Sequence, residues 1–356
     1  PVLLVALALL MMVSGCAATP TDAPPPVTSE PQAPVTAKAP AGSDGAGEPT
    51  ETIVVLHTND FHGAVEPQEG PGTGGTSEEG GLVNMVSLID QLRAEHPGRT
   101  LLLDAGDTFQ GTYVSNSTQG ELVMAAMNIA GYDAWTLGNH EFDWGQEPLK
   151  ARIAQAEFPA LAANILDATS GEPWDIVQPY TVAEVGRIKV GILGLTYPDT
   201  PVINRPENVA GFDFQRAEET VLHYLPELQE QADLIVVLSH LGYDGDLALA
   251  KAVDGIDLIV GGHSHMYLDR PRQIDGTLIV QAGAKGQVVG RLELTVDVGT
   301  GQVVDFTSRK ALIPVTDDVA AVNQEVQSLV GAALAEAAET MDQPIGETAV
   351  ALQPQS

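Results

Sequence analysis

The chain has 356 residues, 44% apolar and 18% charged; that apolar share excludes a wholly disordered protein, and 36 Gly with 24 Pro exclude a coiled coil. Forty-eight Asp and Glu against 16 Lys and Arg give a formal charge of −32, which excludes a nucleic-acid backbone as partner, because phosphate binding needs clustered cations. A single cysteine excludes an internal disulfide framework and any thiolate metal cluster.

Residues 1–13 (PVLLVALALLMMV) form an unbroken apolar run, followed at once by Ser14-Gly15-Cys16. The run is shorter than the ~20 residues of a spanning helix and fits the apolar core of an export signal. No charged segment precedes it, so the sequence is expected to begin inside that signal. Val13-Ser14-Gly15-Cys16 resembles a bacterial lipobox, which implies cleavage before Cys16 and a lipid on its sulfur. The plainer alternative is a free cysteine near an ordinary cleavage site. Residues 17–50 carry eight prolines among Ala, Thr, Ser and Gly. Such a stretch cannot bury enough apolar surface to offset its chain entropy, and it reads as a disordered spacer. No later segment is apolar enough to span a bilayer, so the expected body is soluble and touches a membrane only through the anchor.

From Ile53 the texture changes. The apolar run Ile53–Leu56 reads as a strand, and the Gly, Glu and Pro of Gly63–Gly81 as a mobile surface loop. A helical pattern covers Leu82–Ala94, a strand Leu101–Leu103, and a second helix Glu121–Ala130 that Gly131 should stop. Strand Ala134–Leu137 and helix Gln146–Gln155 follow. Then come strand Val190–Leu195, helix Arg216–Gln231, and strands Leu234–Leu238, Leu258–Val260 and Leu278–Val280. Successive apolar positions mark strands covered on both faces. Their alternation with helices predicts an α/β body over 51–315 with much parallel pairing. Asp318–Met341 reads as a helix within a connector, 316–356. No repeat of fixed period is present.

The residues just after each strand concentrate the chemistry. Ile53–Leu56 runs into His57-Thr58-Asn59-Asp60-Phe61-His62-Gly63, and Leu101–Leu103 into Asp104-Ala105-Gly106-Asp107. Ala134–Leu137 runs into Gly138-Asn139-His140-Glu141-Phe142-Asp143. Leu234–Leu238 meets Ser239-His240-Leu241-Gly242, and Leu258–Val260 meets Gly261-Gly262-His263-Ser264-His265. Six of the eight histidines lie in these turns, and the carboxyl ends of strands form the functional crevice of α/β sheets.

Taken singly, each turn is a weak signal. A histidine after a strand is more often a satisfied polar residue than a ligand; Asp60-Phe61-His62 can cap a turn; Asp104 and Asp107 can be solvated; His263 and His265 can share a polar surface. Together the five turns point to a metal. Nitrogen and oxygen donors without sulfur suit Zn, Mn, Fe, Co or Mg. Two carboxylates, one amide and four imidazoles exceed the needs of one tetrahedral ion. They suit two ions about 3.5–4 Å apart, with Asp107 placed to bridge. His57, His96 and His223 are left as structural or surface residues.

These motifs, with Gly191-Ile192-Leu193-Gly194-Leu195-Thr196 and Gln281-Ala282-Gly283-Ala284-Lys285-Gly286, resemble the bacterial 5′-nucleotidase branch of the calcineurin-like metallophosphatases over about residues 52–345. The resemblance implies a sandwich of mixed sheets flanked by helices. It implies one metal on Asp60, His62, Asp107 and His265, and a second on Asp107, Asn139, His240 and His263. Some relatives carry Gln where His265 stands. His140 and Asp143 match a catalytic pair, Asp143 orienting the imidazole, with Asn139 and His140 also facing substrate. Two divalent ions (Zn, Mn, Co or Mg) and a nucleotide substrate follow.

By that resemblance the protein hydrolyses nucleoside 5′-monophosphates, with nucleotide sugars as further substrates, at the cell envelope (periplasm or surface). Nucleotide-hydrolysing relatives usually carry a C-terminal domain that clamps the base. This chain is expected to stop where that domain begins, after Ile345-Gly346-Glu347-Thr348. Two alternatives stay open: a 2′,3′-cyclic phosphodiesterase or sulfur-compound hydrolase on the same scaffold, and a non-catalytic surface-binding lipoprotein.

Overall fold

Two stacked sheets explain why most apolar runs in this chain are continuous rather than alternating. The computed structural model describes residues 49–69, 78–307, 310–341 and 343; the export segment, Cys16, nearly all of the 17–50 spacer and Ile345–Thr348 lie outside them. The first sheet has seven strands. Its main path is Val303–Phe306, Val288–Asp297, Thr50–Thr58, Thr100–Asp104, Ala134–Thr136 and Ala160–Leu161, with Leu312–Pro314 beside Val288–Asp297. The second has six, in the order Arg272–Ile274, Thr277–Val280, Leu258–Gly261, Leu234–Ser239, Ile188–Leu195 and Tyr180–Val185.

Within each sheet the central strands run parallel. Thr50–Thr58 pairs in parallel with Thr100–Asp104, as does Leu234–Ser239 with both of its neighbours, whereas Val288–Asp297 runs antiparallel to Thr50–Thr58. The pairing is therefore mixed. Parallel strands deliver their carboxyl ends to one edge, which is where the polar turns collect.

Side-chain alternation sorts the apolar residues into layers. Ile53 and Val55 join Leu101, Leu103, Val190, Ile192, Val236 and Val260 in a core between the sheets. Val54, Leu56 and Leu102 face the opposite way, toward helices Leu82–Glu95, Glu121–Ala130 and Gln324–Met341. The outer face of the second sheet is covered by helices Ala217–Gln231 and Tyr243–Ala252. Each fully buried Leu, Ile or Val in such a stack contributes roughly 1.5–3 kcal/mol. The arrangement is helix, sheet, sheet, helix, as the α/β reading expects.

Boundaries follow local chemistry. Gly131 closes its helix in the left-handed conformation, its N–H bonded to the Met127 and Asn128 carbonyls. The last helix begins at Gln324 rather than Asp318, because the Asn323 side chain accepts from the Val326 N–H and so caps it. It also packs on the body through Val326 and Val330. Within the expected loop 63–81, Gln68–Glu69 and Glu78–Glu79 pair as short antiparallel strands, and 70–77 lie outside the described residues.

Candidate metal centre

The strand-end turns converge. Three sets of side chains have donor atoms within 4.8 Å of one another: Asp60, His62 and His265; Asp107, His240 and His263; and His62, Asp107 and His140. Asp60 and Asp107 belong to different sets yet share one cleft, since Asp60 accepts the His263 N–H at 3.0 and 2.9 Å on its two oxygens. Sequence separations of up to about two hundred positions vanish because strands of the two stacked sheets bring their carboxyl-end turns to the same cleft.

The backbone is bent hard to achieve this. Nine non-glycine residues among those described have positive φ, and five of them are Asp60 (49°), His62 (49°), Asp107 (55°), His263 (71°) and His265 (54°). A left-handed conformation costs an L-residue roughly 1–2 kcal/mol. Its concentration on candidate ligands marks a place where the rest of the fold imposes geometry. Gly138 is demanded by close approach: a Cβ there would run into the Asp107 carboxylate.

Three imidazoles have Nδ1–H fixed by an acceptor. His62 Nδ1–H donates to the Gln110 carbonyl at 3.0 Å, His240 Nδ1–H to the Ala105 carbonyl at 2.6 Å, and His140 Nδ1–H to Asp143 Oδ2 at 2.6 Å. Each is left with Nε2 for the cleft. His62 Nε2 faces His265 Nε2 at 3.2 Å, and His265 Nε2 lies 3.3 Å from Asp60 Oδ1.

Two buried atoms test whether these residues fit a cation. His240 Nε2 lies 3.0 Å from Asp107 Oδ2, both side chains almost fully buried. Asn139 Oδ1 is buried with no partner at all. An orphaned acceptor beside this pair is costly in a dry site unless something positive meets it. The residues fit metal.

Charge is arranged accordingly. Burial alone would lower the His240 pKa, but the Asp107 carboxylate outweighs it and holds it up at about 10. Asp107 is itself opposed by burial, yet His240, His140 and His62 hold it well below the carboxylate range. His140 is raised to about 9, chiefly by its bond to Asp143. Burial pulls His62 and His263 down, and the bond to Asp60 raises His265.

Several supporting residues escaped the sequence reading. Buried Glu141 accepts the N–H groups of Asp107, Thr108 and Gly138 at 2.9, 2.7 and 2.6 Å, stitching two turns together. Asn59 ties Asp60 Oδ2 (2.7 Å) to the Gly283 carbonyl (2.6 Å). Asp104 is fully buried rather than solvated, and Thr58, Thr108 and the Gly106 N–H bind it. Glu141 stands inside the quoted turn, so a carboxylate among candidate ligands was visible there, but nothing in the sequence shows that it binds backbone. His57 is buried on the inner face, His96 bonds Arg291 at the surface, and His223 packs on Tyr224, all outside the cleft.

A family model described as calcineurin-like phosphoesterase matches residues 53–267. A 5′-nucleotidase of Vibrio cholerae serotype O1 is 35% identical over 301 residues, covering 75% of this chain and 52% of that protein. A 5′-nucleotidase of Vibrio vulnificus is 32% identical over 342 residues, covering 86% and 56%. The crystal structure of a 5′-nucleotidase precursor from Thermus thermophilus superposes with a TM-score of 0.75 at 34% identity, covering 83% of this chain and 61% of that one. The chain spans about half the length of the curated relatives it matches.

Proposed function

The chain belongs to the calcineurin-like phosphoesterase family, and from that premise we propose that it hydrolyses nucleoside 5′-monophosphates to nucleoside and phosphate with the help of two divalent cations. The observation that carries the reading is the convergence of Asp60, His62, Asp107, His240, His263 and His265 on one cleft beside the orphaned Asn139 oxygen. Asp60, His62, Asp107 and His265 would hold one ion, and Asp107, Asn139, His240 and His263 the other. The Asp107 carboxylate would serve both ions while its Oδ1 accepts the His140 backbone N–H at 2.8 Å, which fixes its orientation. Bound there, the ions would supply Lewis acidity for a phosphoryl oxygen and acidify water near neutral pH.

The chain's own residues handle the leaving group. Asp143 keeps Nδ1 of His140 protonated, and with a pKa near 9 the ring is cationic at neutral pH. Its Nε2–H is free to neutralise charge on a phosphoryl oxygen and to give its proton to the departing ribose 5′-oxygen. Water oxygen bonds to phosphorus, keeping one hydrogen, as the phosphorus–ester bond breaks; the proton from Nε2 completes the nucleoside hydroxyl, the second water proton passes to solvent, and His140 regains a proton from solvent. Asn139 and His140, adjacent on one turn, would also face the substrate phosphate. With a protein charge of −32, attraction for an anionic substrate must be local to this cleft.

The apolar run 1–13 with Ser14-Gly15-Cys16 supports export to the cell envelope and lipidation at Cys16. Labelled fatty acid should enter the wild-type chain and not Cys16→Ala; labelling of both overturns the anchor. The activity is tested by loading the protein with Mn, Zn, Co or Mg and offering AMP, a nucleotide sugar and a 2′,3′-cyclic nucleotide. AMP should be preferred, and His140→Ala should fall about 10²-fold or more while keeping both ions. Preference for the cyclic ester overturns the substrate, and equal inertness of both proteins overturns the enzyme.

A further inference from the structure

The segment that leaves the second sheet after Leu195 crosses to the turn carrying Asn139, His140 and Asp143, which belongs to the first. It starts with Tyr197, whose ring stacks on His263 at 4.3 Å between centroids and 26° between planes. A short helical turn, Thr200–Ile203, folds back through the buried Thr200, which donates its side-chain O–H (2.6 Å) to the Tyr197 carbonyl. Asn204 closes that turn by donating its N–H to the Thr200 carbonyl at 3.0 Å.

All four hydrogen-bonding directions of the Asn204 side chain are then used. Nδ2 donates to the Asn139 carbonyl at 3.0 Å and to Asp143 Oδ1 at 3.2 Å. Oδ1 accepts from the Arg205 N–H at 2.9 Å and from Asn208 Nδ2 at 3.3 Å. Asn208 Nδ2 also donates to the Asp143 carbonyl at 3.0 Å. Asp143 is thereby held at both oxygens, one on Asn204 and the other on His140 Nδ1 at 2.6 Å.

A carboxylate gripped by one imidazole alone can still rotate about its last torsion, which is broad and shallow. A second donor on the other oxygen fixes the carboxylate plane, and with it the plane of the imidazole. We infer that Asn204 is a positioning residue, fixing the aim of His140 through Asp143 and holding the Asn139 backbone from the opposite sheet. The inference rests on the reading of His140 as the proton donor. Only an amide fits: it must donate toward Asp143 and accept from Arg205 and Asn208 at once. Aspartate keeps the size and the acceptor but presents a second carboxylate to Asp143.

The test uses the full chain. Asn204→Ala should lower kcat for AMP about tenfold with KM within about twofold and two ions still bound per chain, since misaim of a donor is felt mainly in the transition state. Asn204→Asp, nearly isosteric, should lose at least as much. In a His140→Ala background the Asn204→Ala change should cost less than about twofold, because the ring it aims is gone. An Asn204→Asp protein with wild-type kcat, or a tenfold loss that persists without His140, overturns the inference. A readout independent of turnover is the melting temperature of metal-free Asn204→Ala, Asp143→Ala and the double variant. The double should melt no lower than the worse single; additive shifts overturn the inference. If the wild-type protein is inert to every phosphate ester, the functional reading fails, and that melting cycle alone decides whether Asn204 and Asp143 act together.

Discussion

The two halves of the cleft use the same residue types at different depths. In the inner half, the side chains of His240 and Asp107 are 0% and 3% exposed, whereas in the outer half His265 is 47% exposed beside a fully buried Asp60. The inner half is closed to solvent, and there the orphaned Asn139 oxygen and the His240–Asp107 pair are found. The outer half can be rehydrated at little cost. Depth therefore separates a pair whose charges need each other for the fold from one that solvent can reach.

That contrast predicts the largest effects. His240→Ala strips the partner from a buried carboxylate and should cost about 3–5 kcal/mol, lowering the melting temperature by on the order of 10 °C. Activity on phosphate esters should fall about 10²–10³-fold. His265→Ala removes a half-exposed ring and should change stability by less than about 1 kcal/mol, while reducing bound metal from two ions per chain to one. Thermal melts of the metal-free variants, with metal content measured after loading, decide it. Equal melting temperatures for the two variants would remove the distinction of depth.

A smaller effect sharpens the same contrast from the backbone side. Glu141 serves the inner half only, accepting the amides of Asp107, Thr108 and Gly138. Burial, with the nearby Asp107 carboxylate, pushes it up to about 7, and the amides of Thr108 and Asp107 pull the other way. Glu141→Ala leaves three buried N–H groups without an acceptor and should cost about 3 kcal/mol. Glu141→Gln keeps one oxygen and turns an NH2 toward the remaining amide or amides, so about half that cost should remain. The order wild type, Gln, Ala is expected in both urea midpoint and AMP turnover. A Gln variant less stable than Ala would mean that the three amides are not what Glu141 holds.

The same physics decides what could be read from the sequence. Strands buried on both faces announce themselves as unbroken apolar runs, so Leu101–Leu103 and Leu234–Leu238 sit inside the observed Thr100–Asp104 and Leu234–Ser239. Val288–Asp297 went unread. It alternates, Leu292, Leu294 and Val296 being buried between half-buried Arg291, Glu293 and Thr295, and such a short alternation does not stand out beside continuous runs. In the cleft, the candidate ligands were visible because His, Asp and Asn cluster after strands. Glu141, Asn59 and Asn204 act on partners up to 224 positions away, many of them backbone groups, and such bonds leave no local pattern.

His57 is the inner-face control for these comparisons, a buried imidazole outside both halves. It is fully buried, neither ring nitrogen has a partner, and it fits only because the facing residue is Gly290, where a Cβ would collide with the ring. Burial pushes it down to about 3, against about 6.5 in an unfolded chain. Between those values the unfolded state binds a proton that the folded state refuses, so stability rises with pH across that window by up to about 1.4 kcal/mol per unit. Above pH 6.5 both states are neutral and the term disappears. His57→Leu, similar in bulk and unable to titrate, should therefore gain on the wild type by about 2 kcal/mol between pH 7.5 and pH 5. Urea midpoints of both proteins at the two pH values measure it. A gap unchanged with pH would mean that the folded protein accepts the proton at His57, and hence that the inner face supplies it with a partner.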